Sequence, residues 1–176
     1  MELIINSFHG NIALFFKSHN ELEQALGILN LKKPVYREYL GMKQELLMKV
    51  IDSFKSDSDA VLAGVMGGRL AEGVDYPDES LEMAIIAGIP YPPPRPRQKA
   101  LKHYYDGEFD GRGWQFAVIA PTVRKMLQAA GRVVRSETDR GFIVIIDERA
   151  RRFLDYMPEL QASDDIVSEI REFFEA

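Results

Sequence analysis

Between residues 120 and 135, in the run APTVRKMLQAAGRVVR, arginines, an amide and a glycine recur at helical spacing. At about 100° per residue, Arg124, Gln128, Gly131, Arg132 and Arg135 share one arc. Val123, Met126, Leu127, Ala130, Val133 and Val134 share the arc opposite. The apolar arc predicts a face packed on a core. The other carries arginines at i and i+3, which repel unless an anion lies between them, beside a glycine that admits close approach. That layout suits a polyanion such as a nucleotide phosphate. Its plainer reading is a solvated basic face paired with Glu137 and Asp139.

A second constellation, MGGRLAEGVDYPD (66–78), follows an apolar run. Gly67, Gly68 and Gly73 allow backbone geometry closed to other residues, and their N–H groups could hold phosphate oxygens. Glu72 and Asp75 could orient a water, a ribose or an arginine; the plainer reading is a glycine-rich turn with solvated acids. FIVIIDE (142–148) imitates a magnesium-binding strand end. With no G-x-x-x-x-G-K-[ST] in the chain, Asp147 is read instead as a strand-end cap or a partner of Arg149. GIPYPPPRP (88–96) is read as a rigid surface loop, where Tyr91 could stack on a base and Arg95 or Arg97 could meet phosphates. Trp114 is assigned to core or interface.

Strands and helices must position these groups. Apolar runs predict strands at 11–16, 34–36, 60–65, 81–87 and 142–146. Helices are expected over 20–29, over 41–54 with Leu46, Leu47, Val50 and Phe54 inward, and over 98–105. A longer one runs from Trp114 or Pro121 to Arg135. A last one spans 163–174, capped by Ser163, with Ile166, Val167, Ile170, Phe173 and Phe174 inward. Nearly continuous apolar strands alternating with helices imply a three-layer α/β domain with a mostly parallel sheet flanked by helices. Residues 17–19, 66–80 and 88–97 then lie at the carboxyl edge of the strands, where such sheets act.

The 176 residues suffice for one domain (1–176) and a real core. The absence of cysteine excludes disulfides and cysteine-held clusters in this chain, and His9, His19 and His103 are too scattered for a metal set, so no metal site is expected. No apolar run reaches a membrane span and no signal peptide is read, so an intracellular protein without membrane contact is expected. A net charge of −5 disfavours nucleic-acid binding over the whole surface but not a local basic groove.

Two stretches together carry a family resemblance. GGRLAEGVDYPD followed by MAIIAGIPYPPP resembles motif V and the segment after it in superfamily 2 helicases. QAAGRVVRSETDRGFIVIIDER resembles motif VI and its following strand, and GNIALFFKSHNELEQAL looks like the motif IV strand and turn. The combination is similar to the XPD helicase group, of archaeal type, and its DinG relatives. It spans Asn11 to Arg152 and matches the second, C-terminal RecA-like motor domain. Motif IV-like residues fall near 11–19, motif V-like at 66–78 and motif VI-like at 128–135.

The resemblance implies the second motor half of an ATP-dependent helicase that moves 5′ to 3′ on single-stranded DNA and acts in DNA repair. It assigns Arg132 and Arg135 to the γ-phosphate as arginine fingers, with Gln128 beside the attacking water or the phosphates. Glu72, Gly73 and Asp75 match motif V positions that couple the nucleotide cleft to the strand track. Ser18, His19 and Arg69 are the candidates for DNA phosphate contacts. ATP and Mg²⁺ belong to the complete enzyme, their phosphate cradle on a first motor domain absent from this sequence; the family's iron–sulfur cluster is expected on that half too. The expected partners are single-stranded DNA, the N-terminal motor domain and repair-complex proteins, in the cytoplasm by the nucleoid or in a nucleus. Alone, the chain is expected to hydrolyse no ATP. The alternatives are a protein-interaction module that retains the fold without catalysis, and a regulatory nucleotide-binding domain.

Overall fold

A computed structural model of the chain describes residues 1–72, 81–134 and 140–175, with the side chain of Glu72 outside that set. Five strands form one parallel sheet: β1 (Ile12–Phe16), β2 (Val35–Arg37), β3 (Val61–Val65), β4 (Met83–Ala87) and β5 (Phe142–Ile146), in the order β2-β3-β1-β4-β5. β1, β3 and β4 are buried at every position, as expected of strands covered on both faces.

Alternate residues of each strand feed two cores. Ile12, Leu14 and Phe16 point toward α1 (Glu2–Ser7), α2 (His19–Ile28) and α7 (Ile166–Glu175), through Ile5, Leu22 and Ile170. Ala13 and Phe15 point toward α3 (Gln44–Lys55), α4 (Arg69–Glu72) and α6 (Ala120–Ala130), through Ile51, Phe54, Leu70 and Met126. The chain steps from β1 out to β2 by a helix in the first layer, then returns through β3, β4 and β5 by helices in the second. Reversing direction and layer together keeps one crossover hand.

Several boundaries differ from expectation. α1 was not foreseen; it is short, and only Ile4 and Ile5 mark it as buried. In α3 Leu46 is exposed and Ile51 buried. α4 lies inside the stretch read as loop, and α5 (Pro96–Glu108) is longer than expected, with proline at a position where a helix start lacks an acceptor anyway. α7 begins at Ile166, with the Asp165 carboxylate accepting the Ser168 N–H at 3.3 Å, so the cap is Asp165 rather than Ser163. A 3-10 stretch over Glu148–Tyr156 puts Phe153 into the core.

The approach to α6 is a π-helical segment, Gln115–Ile119, in which the Ala120 N–H reaches the Gln115 carbonyl. Pro121 explains it. Proline has no N–H to give the Ala117 carbonyl one turn back, and the backbone widens there. The Gln98 side-chain amide from α5 donates to that carbonyl, and the buried Thr122 hydroxyl donates to the Val118 carbonyl at 2.7 Å.

Candidate functional site

α6 was expected to continue to Arg135. It ends at Ala130, and the chain tightens through bonds from Arg132 N to Ala129 O (3.3 Å) and Val133 N to Ala130 O (3.0 Å). Such a closing turn follows naturally where glycine meets β-branched residues. Gln128 is therefore on the last turn of the helix and Arg132 is half-buried just beyond it. Val133 is pinned underneath: a Cβ on Gly141 would collide with its side chain. Arg135 lies outside the described residues, as do Gly73, Asp75 and the Glu72 side chain.

The outer side of α6 also differs from the helical-wheel expectation. Met126, Ala129, Ala130 and Val133 are buried, but Leu127 is 50% exposed and Val134 38%. The small Ala129 lets the helix sit close to the sheet and turns Leu127 outward. Leu127 joins Phe116, Val123 and Tyr156 as the floor of an open hollow of about 690 Å³, with Arg124 and Gln128 on its wall. Phe116 continues into a ring cluster with Phe109 (4.3 Å) and Tyr105 (5.9 Å). Trp114, expected in core or interface, is 49% exposed.

The other candidates sit at the carboxyl edge of the sheet. Ser18 caps α2, its hydroxyl accepting the Glu21 N–H at 3.3 Å, and His19 opens that helix. The Lys17 stem lies where a Cβ on Gly88 would be, which joins the ends of β1 and β4. Arg69 donates to the Met42 carbonyl (2.6 Å) and to Gln44 Oε1 (3.2 Å). Gly67 has φ +77°, as a tight turn requires. The Gly68 N–H, read as a phosphate donor, is used within the turn by the Val65 carbonyl at 2.8 Å. Tyr91, read as a stacking ring, is packed between Phe153 (5.9 Å) and the Arg149 guanidinium (5.6 Å).

Asp147 is both of the things read from sequence. Its carboxylate accepts the Arg149 backbone N–H (2.9 Å), two guanidinium bonds (2.8 and 2.6 Å) and the Ile89 N–H (3.0 Å). The Arg149 side chain holds its pKa far below the usual carboxylate range. An acid so committed has little left for a cation. Among the described residues no group of three or more His, Asp or Glu could hold a metal. The Gln128 amide on the last turn of α6 and the Arg132 guanidinium just beyond it are donors of a kind that fits phosphate oxygens. Sequence reasoning missed Glu38, buried at the end of β2; a lone acid after a three-residue strand gives no motif signal.

Residues 1–160 match the family described as Helicase C-terminal domain. The chain is 27% identical to a regulator of telomere elongation helicase 1 homolog of Drosophila persimilis over 93% of its own length and 19% of the relative's. It is 29% identical to a probable ATP-dependent helicase of Methanocaldococcus jannaschii, over 83% of this chain and 24% of that one. A solved XPD structure in its apo form superimposes with a TM-score of 0.73 at 25% identity, covering 92% of this chain and 34% of that chain. The chain thus spans about a fifth to a third of the proteins it matches. The five-stranded parallel sheet and these similarities agree: the chain belongs to the helicase C-terminal domain family, as an XPD-type superfamily 2 domain of RecA-like fold.

Proposed function

We propose that the chain is the second motor domain of an ATP-dependent DNA helicase that moves 5′ to 3′ and serves DNA repair. In this reading it supplies Arg132 and Arg135 to an ATP site shared with a first motor domain, and Ser18, His19 and Arg69 to the track for single-stranded DNA. The observation that carries it is the wall of the hollow, formed by Arg124 and Gln128: Gln128 lies on the last turn of α6 beside a half-exposed apolar floor, and Arg132 follows in the turn after the helix. Donors for a polyanion next to a surface fit for a partner is what a shared nucleotide cleft requires. Glu72, Gly73 and Asp75 belong to the loop that links the nucleotide to the strand track.

The phosphate cradle, the Mg²⁺ ligands and any iron–sulfur cluster belong to the first motor domain in this scheme. This chain contributes donors that stabilise charge on the transferred phosphoryl group. Among the described residues no helix is long and apolar enough to cross a membrane. The same reading puts its work on DNA in the cytoplasm or a nucleus, in company with repair proteins.

The test is ATP hydrolysis stimulated by single-stranded DNA after mixing the chain with the first motor half. Activity that needs both halves and vanishes in Arg132→Ala/Arg135→Ala supports the reading. Associated halves that stay inactive would favour the other use of the same hollow, a protein-interaction module that kept the fold without catalysis.

A further inference from the structure

Glu38 directly follows β2, is 2% exposed, and is the one buried acid among the described residues. Its N–H is spent on the Ala63 carbonyl (3.1 Å), which extends the β2–β3 ladder by a residue. Its Oε1 accepts the Val65 N–H at 2.7 Å, at the last residue of β3. The turn that follows is wrapped around this carboxylate. A Cβ on Gly64 would stand 3.1 Å from Oε1, and one on Gly68 only 2.6 Å. Both positions are glycine. On the far side, Arg69 ties the same turn to the Met42 carbonyl, so the connection after β2 grips residues 65–69 from two ends. A buried carboxylate is expensive to keep, and an apolar side chain would fill the space at lower cost. What an apolar residue cannot do is accept the Val65 N–H in a charge-assisted bond, which is stronger and better directed than a neutral one.

We propose that Glu38 is a positioning residue: it fixes the turn from which residues 66–72 depart, and through it how the glycine-rich loop meets nucleotide and DNA. The proposal rests on the function given above. It has two parts that separate experimentally, a local brace and its consequence for the reaction.

The brace is tested in the 176-residue chain by NMR hydrogen exchange at Val65 and Gly68, against Leu14 and Ile85 in the sheet interior. Glu38→Ala is expected to speed exchange about ten-fold at the first two amides, the effect of one charge-assisted bond, and to leave the second two protected. Glu38→Gln, which keeps an oxygen acceptor, is expected to restore most of the protection. Equal acceleration at all four amides, or none, overturns the brace. Should Glu38→Ala fail to fold, Glu38→Asp decides: its carboxylate, one carbon shorter, falls short of the Val65 N–H and should reproduce the local acceleration, and wild-type exchange there overturns the brace.

The consequence is tested with the first motor half added. Glu38→Ala should lower kcat for DNA-stimulated hydrolysis about ten-fold with the KM for ATP within about two-fold, and Glu38→Gln should recover most of it. Normal kcat alongside faster local exchange would overturn the positioning role. Wild-type halves that associate but show no DNA-stimulated hydrolysis would refute the proposed function and this consequence together, while the exchange result still judges the brace.

Discussion

The two helical layers treat their apolar side chains differently. In the layer of α1, α2 and α7, aromatic rings close on one another: Phe8 meets Phe174 at 4.9 Å, Phe142 meets Phe173 at 5.3 Å, and Phe173 meets Phe174 at 5.0 Å. The exposed apolar residues there, Leu3 and Ile28, are scattered singly, as on any soluble surface. In the layer of α6, the outward Phe116, Leu127 and Tyr156 are 39 to 50% exposed and adjoin one hollow. Contiguous apolar exposure beside polar groups marks a surface meant to be covered. One layer finishes the fold; the other leaves it open on the side where Arg124 and Gln128 lie.

The strongest way to break this contrast is Arg132→Ala. With the first motor half present, ATP hydrolysis should fall by about 10³ or more, while the midpoint of thermal unfolding of the chain alone moves by less than the equivalent of about 1 kcal/mol. A large loss of stability would make Arg132 a structural residue. Phe174→Ala should do the reverse. Removing a half-buried ring from the closed layer should cost about 2 kcal/mol in urea unfolding, with catalysis by the folded fraction unchanged. Leu127→Gln sharpens the comparison further. Association with the first motor half, read by calorimetry, should weaken about ten-fold while urea stability stays near that of the wild type. Unfolding as severe as that of Phe174→Ala would show that Leu127 serves the core.

The smallest effect is expected from Asp147→Asn, which asks how the polar end of the open layer is held. The Asp147 pKa is depressed in the folded state by Arg149. Its ionised form therefore adds stability at pH values above the unfolded carboxylate pKa of about 4, and this is lost as pH falls through the lower folded value. Arg149 is 45% exposed and screens well in solvent, so the advantage over the asparagine variant at pH 7 should be about 1 kcal/mol or less. Unfolding curves should show that gap shrinking steadily below pH 4. A gap that is constant with pH would mean the charge contributes nothing.

β1, β3 and β4 were legible because each is an apolar run covered on both faces, and the parallel order follows from alternation with helices. Surface orientation was harder. A helical wheel places Leu46 and Leu127 on apolar arcs, but a wheel has no way to know which part of a wide arc meets the sheet. Ile51 and Ala129 take those places because of how closely each helix approaches. The end of α6 was misread because QAAGRVVR continues a helical pattern, whereas the tightening at Gly131 is decided by where Val133 must go beneath Gly141. Of the proposed site residues, Gln128 and Arg132 follow from spacing and family likeness. Glu38 does not, since its meaning comes from two glycines that lie far along the chain and fold around it. Ser18 illustrates a third case: its helix cap is a sufficient local reason for a serine, whatever else it touches.

The π segment before α6 has a consequence for inheritance. A π turn holds one residue more than the α-helix it interrupts, so Gln115–Ile119 is a place where a single codon fits without altering strand order. Its loss would rotate everything upstream by about 100° about the helix axis. Phe116 would swing off the hollow, and Gln98 would lose the Ala117 carbonyl that secures a helix, α5, with no buried residue of its own. The frame of the open surface is thus written in the count of residues between α5 and Pro121 as much as in their kinds.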